Sequence, residues 1–553
     1  MPEGKNTLSA IVNDEKLREQ TKSLMNIYKS FFSNPTGLWQ AAFNANVDMW
    51  SAMMGRSKKA PDKVDRRFAD PIWNDNPAYR ALSNGYLQWC DSMQSWADGL
   101  GLEGRDKERA KLLLATIADT LSPTNTLVGN PAAVRKTLES GGKNLVDGTK
   151  NFISDMVDNN GMPSTVDKSA FKVGENLATT PGKVVYTEPH LEVIQYNPQT
   201  PEVYEIPIFI VPPQINKFYV WDLAPERSIV EFLLRQGFQV FIVSWFNPTA
   251  AQSDWGLDSY IAALDRAAAV ASEISKSDKL NMVGACSGGI STATLLGYWK
   301  AKGTKRANSL TMPVTVLDTD GTANTNMGLM TSLEVMEIAR FTSHRKGVLE
   351  GKDLAKIFAW LRPNDLIWSY WVSNYLLGQD PPVFDILFWN ADTTSMAGRL
   401  HGDFIDVLEG NALTKDGALE VLGEKINLGQ VDCDALIVGG TTDHITPWEG
   451  SYRTMNVLGG TPEFILSNSG HVQALINPPT NKKAIYMLNT GAHDSPGAFM
   501  EGAEEHVGTW WLYWAEWLRD RAGKTKKAPR TLGNKTHKST LDAPGAYVHI
   551  QDK

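Results

Sequence analysis

The sequence predicts a doubly wound α/β domain preceded by a helical region, and three observations carry that prediction. Past Pro181, short apolar β-rich runs alternate with helical stretches, as a parallel sheet covered by helices requires. Before about residue 180 the pattern is helical and cut by turns, with no strand signal of comparable strength. One of the later apolar runs passes through a glycine-rich turn straight into a helix pattern, the strand–turn–helix punctuation of an open α/β sheet.

Composition sets the outer bounds. A chain of 553 residues, 42% apolar and 21% charged, can bury a real core, and its composition excludes a disordered or collagen-like polymer. With 54 Lys and Arg against 62 Asp and Glu, the net charge of −8 repels polyanions, so nucleic acid is not expected as a partner. Three cysteines (Cys90, Cys286 and Cys433) are too few for a disulfide framework and include no C-x-x-C pair that would point to zinc or a dithiol centre. A reducing cytoplasm fits that usage. No basic and apolar leader opens the chain, and no run approaches the roughly 18 apolar residues of a membrane span, so a soluble, unexported protein without an integral membrane segment is expected. The unusual count is 18 Trp, rigid aromatics suited to cores, interfaces and apolar ligand surfaces.

Taken in order, the first element is an amphipathic helix over 15–33, with Leu17, Leu24, Ile27, Tyr28 and Phe31 at three- and four-residue intervals. Turn-rich stretches at 60–62, 70–77, 122–131 and 161–163 divide the rest of the helical region. VVYTEPHLEVIQY then reads as a hairpin-like pair, and 207–213, 239–246, 280–285 and 313–319 read as buried strands. Helical stretches at 223–236, 257–275 and 288–302 separate them. The alternation breaks from about 321 to 430, a Trp-rich helical insertion, before strands resume at 435–440 and 463–468. A helix near 504–522 carries Trp510, Trp511, Trp514, Trp517 and Leu518 on one broad face, which reads as core, and a polar tail follows from 524.

The sharpest chemical signal is Gly284-Ala285-Cys286-Ser287-Gly288, a G-x-C-x-G nucleophile elbow with sulfur in place of the serine oxygen. The strained turn presents the side chain at the sheet's C-terminal edge, and the following helix N-terminus favours a thiolate there. A nucleophile of this kind needs an acid and then a histidine later in the chain. After the strand ALIVGG comes Thr441-Thr442-Asp443-His444-Ile445-Thr446-Pro447, and after EFILSN comes Ser469-Gly470-His471. His471 is the expected base and Asp443 the expected orienting acid, with Asp318, at the end of PVTVLD, as its rival. His444 is open between three roles: a hydrogen bond behind the acid, help to a substrate hydroxyl, or loop structure. The oxyanion donors are expected to be the Ser287 N–H and one from the loop IVPPQINKFY, at Gln214 or Ile215. His190, His537 and His549 read as surface groups.

Sulfur carries its own implication. A thiolate exchanges readily with an acyl thioester and keeps the acyl group activated, so a hydroxyl acceptor can take it when water is excluded. The elbow alone does not separate transfer from hydrolysis, and a cysteine thioesterase or dienelactone-hydrolase-like enzyme stays in competition.

From about Asp65 to its C-terminus the chain resembles the polyhydroxyalkanoate synthases. The resemblance rests on DRRFADPIWNDNPAYR, PTNTLVGNPAAV, VPPQINKFYVWDL, NMVGACSGGI, LEGKDLAKIFAWLRPNDLIWSYWVSNYLLG, PPVFDILFWNADTT, TTDHITPW and SNSGHVQALINPP, several of them most like the class II, medium-chain-length branch. Residues 1–60 and 318–334 depart from that pattern. The resemblance implies an α/β-hydrolase fold with a helical cap inserted over about 321–430. A catalytic domain over 181–553 and a helical N-terminal domain over 1–180, serving dimerisation and granule attachment, complete it. It further implies an acyltransferase that polymerises (R)-3-hydroxyacyl-CoA into polyester with release of CoA, Cys286, Asp443 and His471 falling on the triad motifs. No cofactor beyond the CoA thioester substrate is implied. The expected partners are that substrate, the growing polyester, a second copy in a homodimer and granule-associated proteins, at the granule surface in the cytoplasm. A non-catalytic granule-coating protein is the remaining rival.

Overall fold

The computed structural model describes residues 59–551 except Lys63, Ala323, Asn324, Thr331, Ser332 and Ala492, together with a scatter of positions between 29 and 56. The helix predicted over 15–33 lies outside the described residues apart from Lys29 and Ser30. The chain divides into two compact units, Met1–Lys168 with Gly328–Ile338 and Lys356–Phe384, and Ser169–Met327 with Ala339–Ala355 and Asp385–Lys553.

The first unit is helical. Its main helices are α1 (Pro77–Asp98), α2 (Gly104–Thr120), α3 (Pro131–Glu139) and α4 (Lys143–Asp158). Local chemistry sets two of the starts: Asn76 and Asn130 each accept from two backbone N–H groups of the first turn, and each is followed by a proline at the first helical position. Small apolar clusters hold the unit, one around Phe68, Trp73 and Tyr86 and one around Met93, Trp96 and Leu114. The segment 356–384 belongs here, although the sequence reads it as part of one insertion. Tyr375 Oη donates to Asp155 Oδ2 at 2.7 Å, Asn144 Nδ2 donates to the Leu376 carbonyl at 2.7 Å, and a Cβ on Gly148 would stand 2.0 Å from the Tyr375 carbonyl oxygen. Val146, Ile153, Met156 and Val157 of α4 stay exposed.

The second unit is built on a ten-stranded sheet. Its strands are β1 (Gly182–Glu188), β2 (Leu191–Tyr196), β3 (Ile208–Val211), β4 (Val240–Trp245), β5 (Leu280–Gly284), β6 (Ala307–Pro313), β7 (Asp434–Gly440), β8 (Glu463–Ser467), β9 (Ile485–Leu488) and β10 (Glu504–Val507). The spatial order is β1-β2-β4-β3-β5-β6-β7-β8-β9-β10. The run from β4 to β8 is parallel and the outer pairs are antiparallel. Alternate residues of the central strands enter opposite cores, as a period of two dictates. Phe209, Phe241, Met282 and Ile437 pack with helices α6 (Leu257–Ser275) and α7 (Ser287–Ala301). Ile210, Ile242, Val283 and Val438 pack with α5 (Ile229–Arg235) and α8 (Trp510–Arg519). Trp510, Trp511 and Trp514 are fully buried, so the tryptophan face is core.

Three elements differ from the sequence reading. The strand expected at 313–319 lies at 307–313, and Val314, at φ +45°, turns the chain off the sheet. Its polar letters hid it: Ser309 and Thr311 are buried and paired, Ser309 Oγ with Asn281 Oδ1 at 2.8 Å and Thr311 Oγ1 with Trp514 Nε1 at 3.0 Å. The helix expected near 504–522 starts only at Trp510, because Glu504–Val507 pairs with β9 as the sheet edge. The tail from 524 is threaded into the fold: Thr525–Lys527 pairs with Glu202–Tyr204, Glu192 accepts from the Ala546 and Tyr547 N–H groups, and Val548 is buried.

Candidate active site

Three loops leave the C-terminal ends of β5, β7 and β8 and meet at the sheet edge, where parallel α/β sheets place their sites. Between β5 and α7, Cys286 sits at φ +50° and ψ −125°, a strained conformation for a residue with a side chain. Its neighbours permit that turn. A Cβ on Gly284 would stand 2.3 Å from Thr292 Oγ1, and one on Gly288 would stand 2.4 Å from the Val211 carbonyl oxygen. The α7 N-terminus can therefore press against β5 only because Gly284 lacks a side chain, and against the end of β3 only because Gly288 does.

Asp443 follows β7, its side chain fully enclosed, and each of its oxygens is held. Oδ1 accepts from the Ile445 and Thr446 N–H groups, both at 2.9 Å. Oδ2 accepts from Thr446 Oγ1 at 2.7 Å and from His471 Nδ1 at 2.8 Å. A carboxylate only accepts, so His471 carries its proton on Nδ1 and turns Nε2 away from the acid. The Cys286 side chain lies close enough to this imidazole to act on its pKa. The structure thus brings Cys286, His471 and Asp443 into one chain of contacts. Asp318 is elsewhere employed, accepting from Asn411 Nδ2 at 2.8 Å and from the Asp320 N–H at 2.9 Å.

The electrostatics follow from this geometry. Burial alone would lower the pKa of the His471 imidazole, but the charge and hydrogen bond of Asp443, with Cys286 behind them, raise it from 6.5 to about 10. Burial alone would raise the Asp443 carboxyl; the charge and hydrogen bond of His471 and the Thr446 donors outweigh that and hold it below its ordinary value. An imidazole of this kind can take a thiol proton and keep it while the sulfur attacks.

On the oxyanion side, the Ser287 N–H opens α7 and so has no intrahelical acceptor. The Gln214 N–H, one of the two expected second donors, is turned to Ser287 Oγ at 3.2 Å, and its Nε2 donates to Ser291 Oγ at 2.9 Å. Gln214 thus ties the loop to α7, and Ile215 follows it on the same loop. Thr394 holds this loop from the other side: its Oγ1 donates to the Gln214 carbonyl at 3.2 Å, and its N–H to the Ile215 carbonyl at 3.1 Å. His444 is half-buried, and the donors that orient Asp443 come from Ile445, Thr446 and His471. His190 is more than a surface group, its ring stacked on Trp255 at 3.9 Å.

Sequence reasoning passed over Thr446. Its signal was local: a Thr three residues after an Asp that ends a strand is placed to bond back to the carboxylate.

Comparison with known proteins agrees with this architecture. Residues 64–233 match the family model described as poly-beta-hydroxybutyrate polymerase (PhaC) N-terminus, and residues 207–478 match that of the alpha/beta hydrolase fold. The chain is 48% identical over 503 residues to poly(3-hydroxyalkanoate) polymerase 1 of Ectopseudomonas oleovorans, covering 91% of this chain and 89% of that one. It is 41% identical over 532 residues to polymerase 2 of the same organism, covering 96% and 94%. To the poly(3-hydroxyalkanoate) polymerase subunit PhaC of Cupriavidus necator it is 37% identical over 506 residues, covering 90% and 86%. An α/β-hydrolase sheet with a helical N-terminal region, matched along nearly its whole length by these enzymes, places the chain in the poly(3-hydroxyalkanoate) polymerase family of acyltransferases.

Proposed function

We propose that the chain polymerises (R)-3-hydroxyacyl-CoA by acyl transfer through Cys286. His471 takes the thiol proton, and the sulfur attacks the thioester carbonyl. CoA leaves as the thiol, carrying the proton that His471 returns. The acyl group then rests on Cys286 as a thioester. The 3-hydroxyl of the next monomer or chain end gives its proton to His471 and forms the ester bond, which frees the Cys286 sulfur. Asp443 holds the imidazole and stabilises its charged form. The Ser287 N–H and an N–H of the loop at Gln214–Ile215 receive the developing oxyanion, with Ile215 the better placed because the Gln214 N–H already has an acceptor. His444 takes no proton in this scheme. No cofactor enters, because the substrate thioester brings its own activation.

The single observation that supports this reading is the continuous contact from Asp443 through His471 to Cys286, with the thiol on a strained elbow at a sheet edge.

We further propose that the enzyme works as a homodimer at the surface of cytoplasmic polyester granules, among granule-associated proteins. No helix among the described residues is long and apolar enough to cross a membrane, and the exposed Val146, Ile153, Met156 and Val157 of α4 suit contact with an aliphatic polyester.

The test is the product. Incubation with 3-hydroxybutyryl-CoA or 3-hydroxydecanoyl-CoA is expected to release CoA and leave insoluble polyester. Quantitative free hydroxy acid instead would make the chain a cysteine hydrolase, and unchanged function in Cys286→Ala would make it a non-catalytic coat protein.

A further inference from the structure

We propose that Thr446 is a positioning residue for acyl transfer, its hydroxyl locking the Asp443 carboxylate and the His471 ring into the one arrangement that turns Nε2 toward Cys286. This rests on the triad reading above. Thr446 Oγ1 donates to Asp443 Oδ2 at 2.7 Å, the same oxygen that takes the His471 Nδ1 proton at 2.8 Å, and stands 3.0 Å from Nδ1. With its proton committed to the carboxylate, the threonine oxygen offers its lone pairs to Nδ1–H, so the imidazole proton faces two acceptors on one side. A ring flip would lose both. The backbone of the same loop saturates Oδ1 through Ile445 and Thr446, and the carboxylate is then fixed about its own axis. One residue therefore supplies two of the four donors on the acid and a second acceptor for the base.

Thr446→Val keeps the branched shape and the backbone N–H and removes only the hydroxyl. Losing one hydrogen bond to a charged group corresponds to a fall in kcat of about ten- to a hundredfold, with KM within about twofold. Because a donor that favours the carboxylate is gone, Asp443 takes up its proton at a higher pH and the acid limb of the kcat profile moves to higher pH with it. Thr446→Ser restores both readouts to within about twofold of the parent. If the valine variant does not fold, Thr446→Ala carries the same test.

A valine or alanine variant with unchanged kcat and unchanged acid limb overturns the proposal. So does a serine variant as impaired as the valine one, which would assign Thr446 to loop shape alone. Cys286→Ala and His471→Gln run beside them separate the two levels: if those retain polymerisation the triad reading fails, and if they abolish it while Thr446→Val is unimpaired only the role of Thr446 fails.

Discussion

Gly288→Ala puts the closest contact of the site to the test. A Cβ there would lie 2.4 Å from the Val211 carbonyl oxygen and 2.6 Å from that of Pro212, whereas ordinary contact begins at 3.4 Å. The α7 N-terminus and the end of β3 must therefore part by about 1 Å, comparable with the shifts that cost 1–3 kcal/mol on overpacking. Neither atom yields easily: Val211 is in the sheet, and the Pro212 carbonyl is held by Trp245 Nε1 at 2.8 Å. The same displacement carries the loop at Gln214–Ile215 away from Cys286, and about 1 Å of misplacement is worth roughly a hundredfold in rate. Denaturant unfolding followed by tryptophan fluorescence, and CoA thiol release followed with a disulfide dye, read the two effects. Gly497→Ala is the control, since its Cβ would meet nothing within 4 Å. Wild-type stability in Gly288→Ala would refute the packing argument; a destabilised variant with wild-type kcat would refute the role of the loop.

Two further outcomes are expected. Because the folded His471 pKa stands near 10 against an ordinary 6.5, its contribution to stability is complete below about pH 6.5 and is lost as pH rises through 10. The stability advantage of the parent over His471→Gln should shrink across that window in denaturation curves, and a pH-independent difference would contradict the ion pair. Asp443, held low, works in the opposite sense, its contribution being present above pH 3.8 and lost as pH falls through its depressed value. Trp514→Ala should lose about 3–5 kcal/mol in urea unfolding, since Trp514 is fully buried and its Nε1 donates to Thr311 Oγ1 at 3.0 Å; a loss below about 1 kcal/mol would remove the tryptophan helix from the core.

Where side-chain pattern alone decides structure, the sequence was readable. The strands at 208–211, 240–245 and 280–284 are mainly apolar runs buried on both faces, broken only by Ser244 and Asn281 among polar side chains, and the helix Leu257–Ser275 appears at the expected bounds. The placement of Cys286, Asp443 and His471 on loops at one sheet edge was legible because each follows the end of a strand. What escaped notice depended on pairing between distant residues. β6 reads as polar because its Ser309 and Thr311 find partners on β5 and α8, and β10 is made by its neighbour strand rather than by its own letters. The division of 321–430 between two units likewise depends on α4, through Asp155, Asn144 and the bare Gly148, none of which marks itself in the sequence. The second oxyanion N–H was expected from Gln214 or Ile215, and the Gln214 N–H donates to Ser287 Oγ, a bond visible only once the two loops are side by side.

The loading step offers the most direct measurement. After brief incubation with 3-hydroxydecanoyl-CoA and an acid quench, peptide mass spectrometry should find the hydroxyacyl group as a thioester on Cys286, with one CoA released per adduct and neither event in Cys286→Ala. An adduct on Cys90, Cys433 or any other side chain, or undiminished CoA release by Cys286→Ala, would contradict the account.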